Sequence, residues 1–198
     1  MKIANLGGSF NPPCNHHLQI IARLIYRFDR IIVVPCGQRS DKPSANIVPE
    51  ENRKEMAELA FGSIPKIQLD CYDLENKVYT PTCDLQKRYE NLFPGAEIWH
   101  IVGGDIVAGG RNNNSEIHRI WHRGCEIWQN LNFTVIVRPG YDVLPEDMPP
   151  HSELIEIKDH YGSATMVRSH FAQGEPIDDL VPPNIEKYIR EHKLYLEH

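Results

Sequence analysis

Two short segments, far apart in the chain, carry residue types suited to binding phosphate anions. The first is Gly7-Gly8-Ser9-Phe10-Asn11-Pro12-Pro13-Cys14-Asn15-His16-His17. Glycines let a backbone approach a ligand closely, and prolines stiffen the turn. Where such a run opens a helix, free N–H groups and the positive end of the helix dipole add an anion site. His17 then falls in the first turn. No Gly-Lys-Ser/Thr follows, and the glycine spacing is not G-x-G-x-x-G, so neither a P-loop nor a dinucleotide fingerprint is present. The second segment is Tyr161-Gly162-Ser163-Ala164-Thr165-Met166-Val167-Arg168. Ser163 is placed to cap a helix whose second turn carries Arg168. Hydroxyls, free N–H groups and a guanidinium at one helix end suit an oligophosphate. Taken singly, each segment has a plainer reading, a common turn in the first case and a capped helix with a solvated arginine in the second.

Such residues need a scaffold that brings chain ends together, and the intervening sequence alternates strand and helix patterns. Strands are predicted at Lys2–Leu6, Arg30–Pro35, Lys66–Cys71, Glu97–Val102, Phe133–Val137 and Glu153–Ile157. Helices are predicted at His16–Arg27, where Leu18, Ile21, Leu24 and Ile25 repeat at helical spacing, and at Glu50–Phe61 and Thr82–Leu92. Further helices are expected at Ile117–Trp128, Ala164–Gln173 and Asn184–His192. The run Ile31-Ile32-Val33-Val34 has the composition of a strand buried on both faces. The alternation predicts an α/β fold, a Rossmann-like doubly wound parallel sheet in a single domain with a small C-terminal helical part. Ligands of such sheets sit outside the carboxyl ends of the strands, and both anion-suited segments lie in loops of that kind. Pro139 to Ser152 carries four prolines and reads as a surface loop, too short to separate two cores. The domain is expected to span residues 1–195, with Leu196-Glu197-His198 resembling the start of a polyhistidine tag.

Composition narrows the partners. Of 198 residues, 41% are apolar and 24% charged, with 21 Lys plus Arg against 27 Asp plus Glu for a net charge of −6. That argues against a nonspecific nucleic-acid coat or a polybasic membrane binder, while permitting a local basic pocket. Aliphatic runs are too short to span a bilayer, and no secretory pattern opens the chain. The five cysteines are widely spaced with no C-x-x-C, so a reducing cytoplasm is the expected setting.

Taken together, the two segments resemble the nicotinate/nicotinamide mononucleotide adenylyltransferases of the nucleotidylyltransferase superfamily. The family's opening signature, G-G-[ST]-F-[DN]-P-x-H-x-G-H, is similar to Gly7–His17, and its closing S-[SA]-T-x-[IV]-R matches Ser163–Arg168. Ile101-Val102-Gly103-Gly104-Asp105 is similar to the family's I-[IV]-G-x-D. Trp121 precedes Arg138-Pro139-Gly140-Tyr141 as the family's Trp precedes R-P-G-Y. The tail from Asp178 to Leu194-Tyr195 also looks like the family's C-terminus.

The resemblance implies adenylyl transfer from ATP, accompanied by Mg²⁺, to a mononucleotide with release of pyrophosphate. It gives His17, Cys14, His16 and Arg168 catalytic positions. It places ATP against Gly8, Ser9, Phe10, His17, Gly103, Asp105, Ser163, Thr165 and Arg168, and the acceptor against Lys42, Thr80, Trp121 and Arg138. No protein metal site and no nucleic-acid polymer or membrane partner is implied, and the oligomeric state is open.

Two positions depart from the signature. Cys14 replaces its first His, and a thiol is a weaker donor than an imidazole. Losing one transition-state donor typically costs ~10²–10³ in rate. His16 replaces its Gly, and its imidazole could compensate for Cys14. The departures leave room for two other readings, a weak nucleotide-binding relative and a metal or thiol site at Cys14, His16 and His17. The loop Pro35 to Pro43, with Arg39 and Lys42, is richer in charge than the family's and leaves the acceptor open.

Overall fold

The computed structural model describes residues 1–39, 46–138, 143–157 and 162–196. Its strands are β1 (Lys2–Gly8), β2 (Arg30–Pro35), β3 (Ile67–Leu69), β4 (Glu97–Gly103), β5 (Asn132–Val137) and β6 (Ser152–Glu156). Its helices are α1 (Asn15–Leu24), α2 (Glu50–Phe61), α3 (Tyr72–Asn76), α4 (Thr82–Leu92), α5 (Gly104–Val107), α6 (Glu116–Ile120), α7 (Gly124–Asn130), α8 (Ala164–Ala172) and α9 (Pro183–Glu191). The strands form one six-stranded sheet in the order β3-β2-β1-β4-β5-β6. This is the expected Rossmann-like parallel sheet flanked by helices, with its order reversing between β1 and β4. The first anion-suited segment follows β1, and Gly103-Gly104-Asp105 follows β4. No helix among the described residues is long and apolar enough to cross a membrane.

The chain divides into two compact units. The first comprises Met1–Gly7, Arg23–Ile31 and Thr80–His160. Here β1 pairs with β4 in parallel, Ile3 opposite Ile98, and β4 with β5, Val102 opposite Val135. Val102, Val107, Ile117, Ile127, Trp128, Phe133 and Val135 form its buried core. The single helix expected at Ile117–Trp128 is two helices, α6 and α7. Trp121 is extended and Arg123 takes a left-handed φ of 59°. Gly124 sits so close to the Ile117 carbonyl that a side chain there would collide with it. Apolar spacing continues across such a corner, so periodicity alone does not reveal it. The helix expected to reach Arg27 stops at Leu24, whose carbonyl accepts the N–H groups of both Arg27 and Phe28 at 2.9 and 3.0 Å.

The second unit comprises Gly8–Ala22, Ile32–Tyr79 and Tyr161–His198. In it α2 packs against α3, β3 and α9. The start of α1 is tied to the C-terminal segment: Asn15 donates its backbone N–H to the Leu180 carbonyl at 2.8 Å and its side-chain amide to the Asp179 carbonyl at 3.0 Å.

One buried polar link sets a pH dependence. In the first unit the Asn5 amide donates to Nδ1 of His100 at 3.1 Å, and Nε2 of His100 lies 2.8 Å from Oε1 of Gln86. A neutral ring with its proton on Nε2 satisfies both contacts. Burial pushes the imidazole from its ordinary 6.5 down to about 4. Below pH 6.5 the unfolded chain binds a proton that the folded one refuses, so stability falls as pH drops towards 4. At ~1.4 kcal/mol per pH unit the loss is at most roughly 3.5 kcal/mol. His100→Gln should flatten the decline in urea-unfolding free energy across this window; a slope equal to that of the unsubstituted chain would contradict the assignment.

Candidate active site

The loop after β1 is folded by its own sequence. Phe10 takes a left-handed φ of 43°, and its ring swings back so close to Gly8 that a Cβ there would press on the ring atoms. That ring is 1% exposed and packs edge-on against Phe61 and against His17, at centroid separations of 5.3 and 4.9 Å. Phe10 thus sets the height of the His17 ring.

Cys14 orients the same ring. Its backbone N–H donates to Nδ1 of His17 at 3.0 Å, and its Sγ lies 3.2 Å from that nitrogen. A neutral His17 therefore carries its proton on Nε2, the far side of the ring, as a donor to an anion needs. The Cys14 thiol is buried on the Nδ1 side. His16 is 5% exposed, with its ring 6.1 Å from that of His17. It is the more enclosed of the two, His17 being half-buried. Among the described residues no three His, Cys, Asp or Glu side chains assemble into a metal-holding group, so Cys14, His16 and His17 do not form a metal cradle.

The second anion-suited segment lies in the same unit and reaches this loop. Gly162 has a left-handed φ of 65°. Ser163 caps α8 by accepting the Met166 N–H at 3.2 Å. One turn later Arg168 donates from Nη1 to the Asn11 carbonyl at 2.7 Å and from Nη2 to Oγ1 of Thr165 at 3.1 Å. Burial lowers the pKa of this guanidinium while the neighbouring Tyr195 opposes the shift, and an arginine stays charged through such a change. The loop after β1 and α8 are therefore joined by a direct hydrogen bond.

Arg53 is a contributor that sequence reasoning missed. It lies on α2, wholly buried, and its Nη1 donates to the carbonyls of Ser9 at 3.1 Å and Cys36 at 2.7 Å. The Cys36 N–H in turn donates to the Gly8 carbonyl at 2.9 Å. The loop is thus fastened to the end of β2. Arg53 shares a helical face with Met56, Ala57 and Ala60, all buried. An arginine on an apolar stripe was the available signal.

The remaining predicted positions are in the first unit or outside the described residues. Asp105 is an exposed residue of α5. Its carboxylate folds over Gly103, and an Nη2 of Arg138 approaches the same glycine. Trp121 is half-buried against the core of that unit, its indole N–H donating to Glu116 at 3.2 Å. Thr80 is half-buried just ahead of α4. Lys42 lies outside the described residues, as do Pro139, Gly140 and Tyr141.

Residues 5–170 match the family model described as cytidylyltransferase-like. The chain belongs to that family. It is 31% identical, over 98% of its own length and 89% of the other's, to a probable nicotinate-nucleotide adenylyltransferase of Saccharopolyspora erythraea. It is 27% identical, over 98% of both chains, to the nicotinate-nucleotide adenylyltransferase of Bacillus subtilis. In fold it is similar to the Plasmodium falciparum nicotinic acid mononucleotide adenylyltransferase complexed with NaAD, with a TM-score of 0.76, 22% identity and coverage of 98% and 97%. The chain is thus a nucleotidyltransferase of this family, and its two departures lie within the segment that holds His17.

The ring geometry separates the roles of Cys14 and His17, the two histidine positions of the signature. His17→Ala should lower kcat for nucleotidyl transfer by ~10²–10³, the usual cost of a lost transition-state donor. Cys14→Ala keeps the backbone N–H on Nδ1 and should cost no more than about threefold. Steady-state kinetics on the two variants checks this, and an equal loss in both would contradict it.

Proposed function

We propose that residues 1–195 carry out adenylyl transfer from ATP to nicotinate mononucleotide. A 5′-phosphate oxygen of the acceptor attacks the α-phosphorus of ATP in line. The bond from the α-phosphorus to the bridging oxygen breaks, and pyrophosphate leaves with the electron pair. Such a reaction needs no protein nucleophile; it needs two anions positioned and the charge on the phosphoryl oxygens stabilised. The observation that carries this reading is the direct bond from Arg168 to the Asn11 carbonyl. It puts a guanidinium at the loop that leads into α1, whose first turn carries His17.

In this reading His17 donates to the phosphoryl oxygens as they gain charge. Arg168, with the capped start of α8 at Ser163 and Thr165, holds the triphosphate, and Gly8 and Ser9 offer backbone for close approach. Cys14 acts by orienting His17. Asp105 is assigned to the adenosine ribose, and Thr80, Trp121 and Arg138 to the pyridine nucleotide. Nicotinate is preferred over nicotinamide because the named relatives act on nicotinate nucleotide.

The donors in the second unit suit anions, and the described residues offer no three-ligand metal group. A Mg²⁺ accompanying ATP would be coordinated mainly by its phosphate oxygens and water. When bound it neutralises triphosphate charge.

Pyrophosphate release should be measured with ATP, Mg²⁺ and a panel of acceptors. The expected result is turnover with nicotinate mononucleotide, lower kcat/KM with nicotinamide mononucleotide, and none without an acceptor. Tight ATP binding with no release for any pyridine mononucleotide would overturn the proposal.

A further inference from the structure

The last described residues of the chain return to the loop after β1. Tyr195 donates its phenolic O–H to Oδ1 of Asn11 at 2.5 Å. Asn11 is wholly buried, and its backbone carbonyl is the group that accepts Arg168. One residue thus takes the tail on its side chain and the guanidinium on its main chain. The tail adopts an unfavourable backbone to do so: Lys193 and Tyr195 have left-handed φ values of 51° and 61°. Non-glycine residues in that region are strained and persist where surrounding contacts hold them. Burial also pushes the Tyr195 phenol up, against the opposing pull of Arg168 and Arg53, which are close enough to act on it.

We propose that Tyr195 is a positioning residue for the transfer reaction: its O–H fixes the Asn11 side chain, and through Asn11 it sets the angle at which Arg168 meets the triphosphate. Tyr195 does not touch substrate. With the phenol gone, Oδ1 of Asn11 loses this donor, and the residue whose main-chain carbonyl accepts Arg168 is less tightly fixed. The loss should fall on ATP and spare the acceptor. The inference rests on the reading of Arg168 as a triphosphate ligand.

The test compares Tyr195→Phe, a chain ending at Leu194 and a chain ending at Tyr195, each assayed for kcat, both KM values, ATP affinity and melting temperature. Phe keeps the ring and removes only the donor. It should lower kcat/KM for ATP by about tenfold, with KM for the acceptor unchanged and the melting temperature within a few degrees. The chain ending at Leu194 should lose at least as much. The chain ending at Tyr195 should match the full chain, since Leu196 is exposed. Unchanged ATP kinetics in Tyr195→Phe would overturn the proposal. So would a loss shared equally between ATP and acceptor, or one accounted for by the unfolded fraction. An unsubstituted chain that neither binds ATP nor turns over would be a failure of the functional reading itself, visible before any variant is compared.

Discussion

A single hydrogen bond between residues 157 positions apart in the sequence, from Arg168 to the carbonyl of Asn11, is the contact on which the candidate site depends. Neither partner segment is more than a turn or a capped helix by itself. Joined, they put a guanidinium, an imidazole N–H and two helix starts in one unit, which suits a polyanion. The rest of that unit can be understood as support for this contact. Arg53 fastens the Ser9 carbonyl to the end of β2. Asn15 ties the start of α1 to Asp179 and Leu180. Phe10 and Cys14 hold the His17 ring from two sides. Most of these bonds end on backbone carbonyls and N–H groups, so they fix the course of the loop as well as side-chain rotamers.

The electrostatics follow the same logic. The chain is net acidic, at −6, yet the donors that converge on Asn11 are cationic or neutral. Even a half-buried guanidinium, as that of Arg168 is, is costly unless its N–H groups find acceptors. Arg168 meets that cost with a main-chain oxygen and a hydroxyl, and no carboxylate neutralises it in those bonds. Its charge remains available to a phosphate.

Much of the fold was legible because strand and helix differ in apolar period. Every expected strand is found, and the β-branched run at Ile31–Val34 is buried as its composition requires. The serine cap at Ser163 was equally legible, since capping is a local matter. The corner between α6 and α7 was hidden, because the apolar spacing runs through it and only the close approach of Gly124 to Ile117 explains the break. The orientation of His17 by Cys14 was hidden for another reason. At the level of residue types a cysteine in place of histidine reads as a lost donor, whereas the thiol lies on the opposite side of the ring from the proton that matters. Arg53 and Tyr195 were present in the sequence as an arginine on an apolar face and a tyrosine in the tail. Their partners, the Ser9 and Cys36 carbonyls and the Asn11 amide, are set by tertiary folding that no local pattern encodes.

Whether the loop after β1 and the start of α8 act on one polyanion is decided by a double-mutant cycle on kcat/KM for ATP with His17→Ala and Arg168→Ala. Groups that hold one phosphate chain from two sides should be coupled, with the double variant departing from the product of the single losses by about 1–3 kcal/mol. Independent losses that multiply within about 0.3 kcal/mol would show that the two residues serve no common ligand, and the account would be wrong.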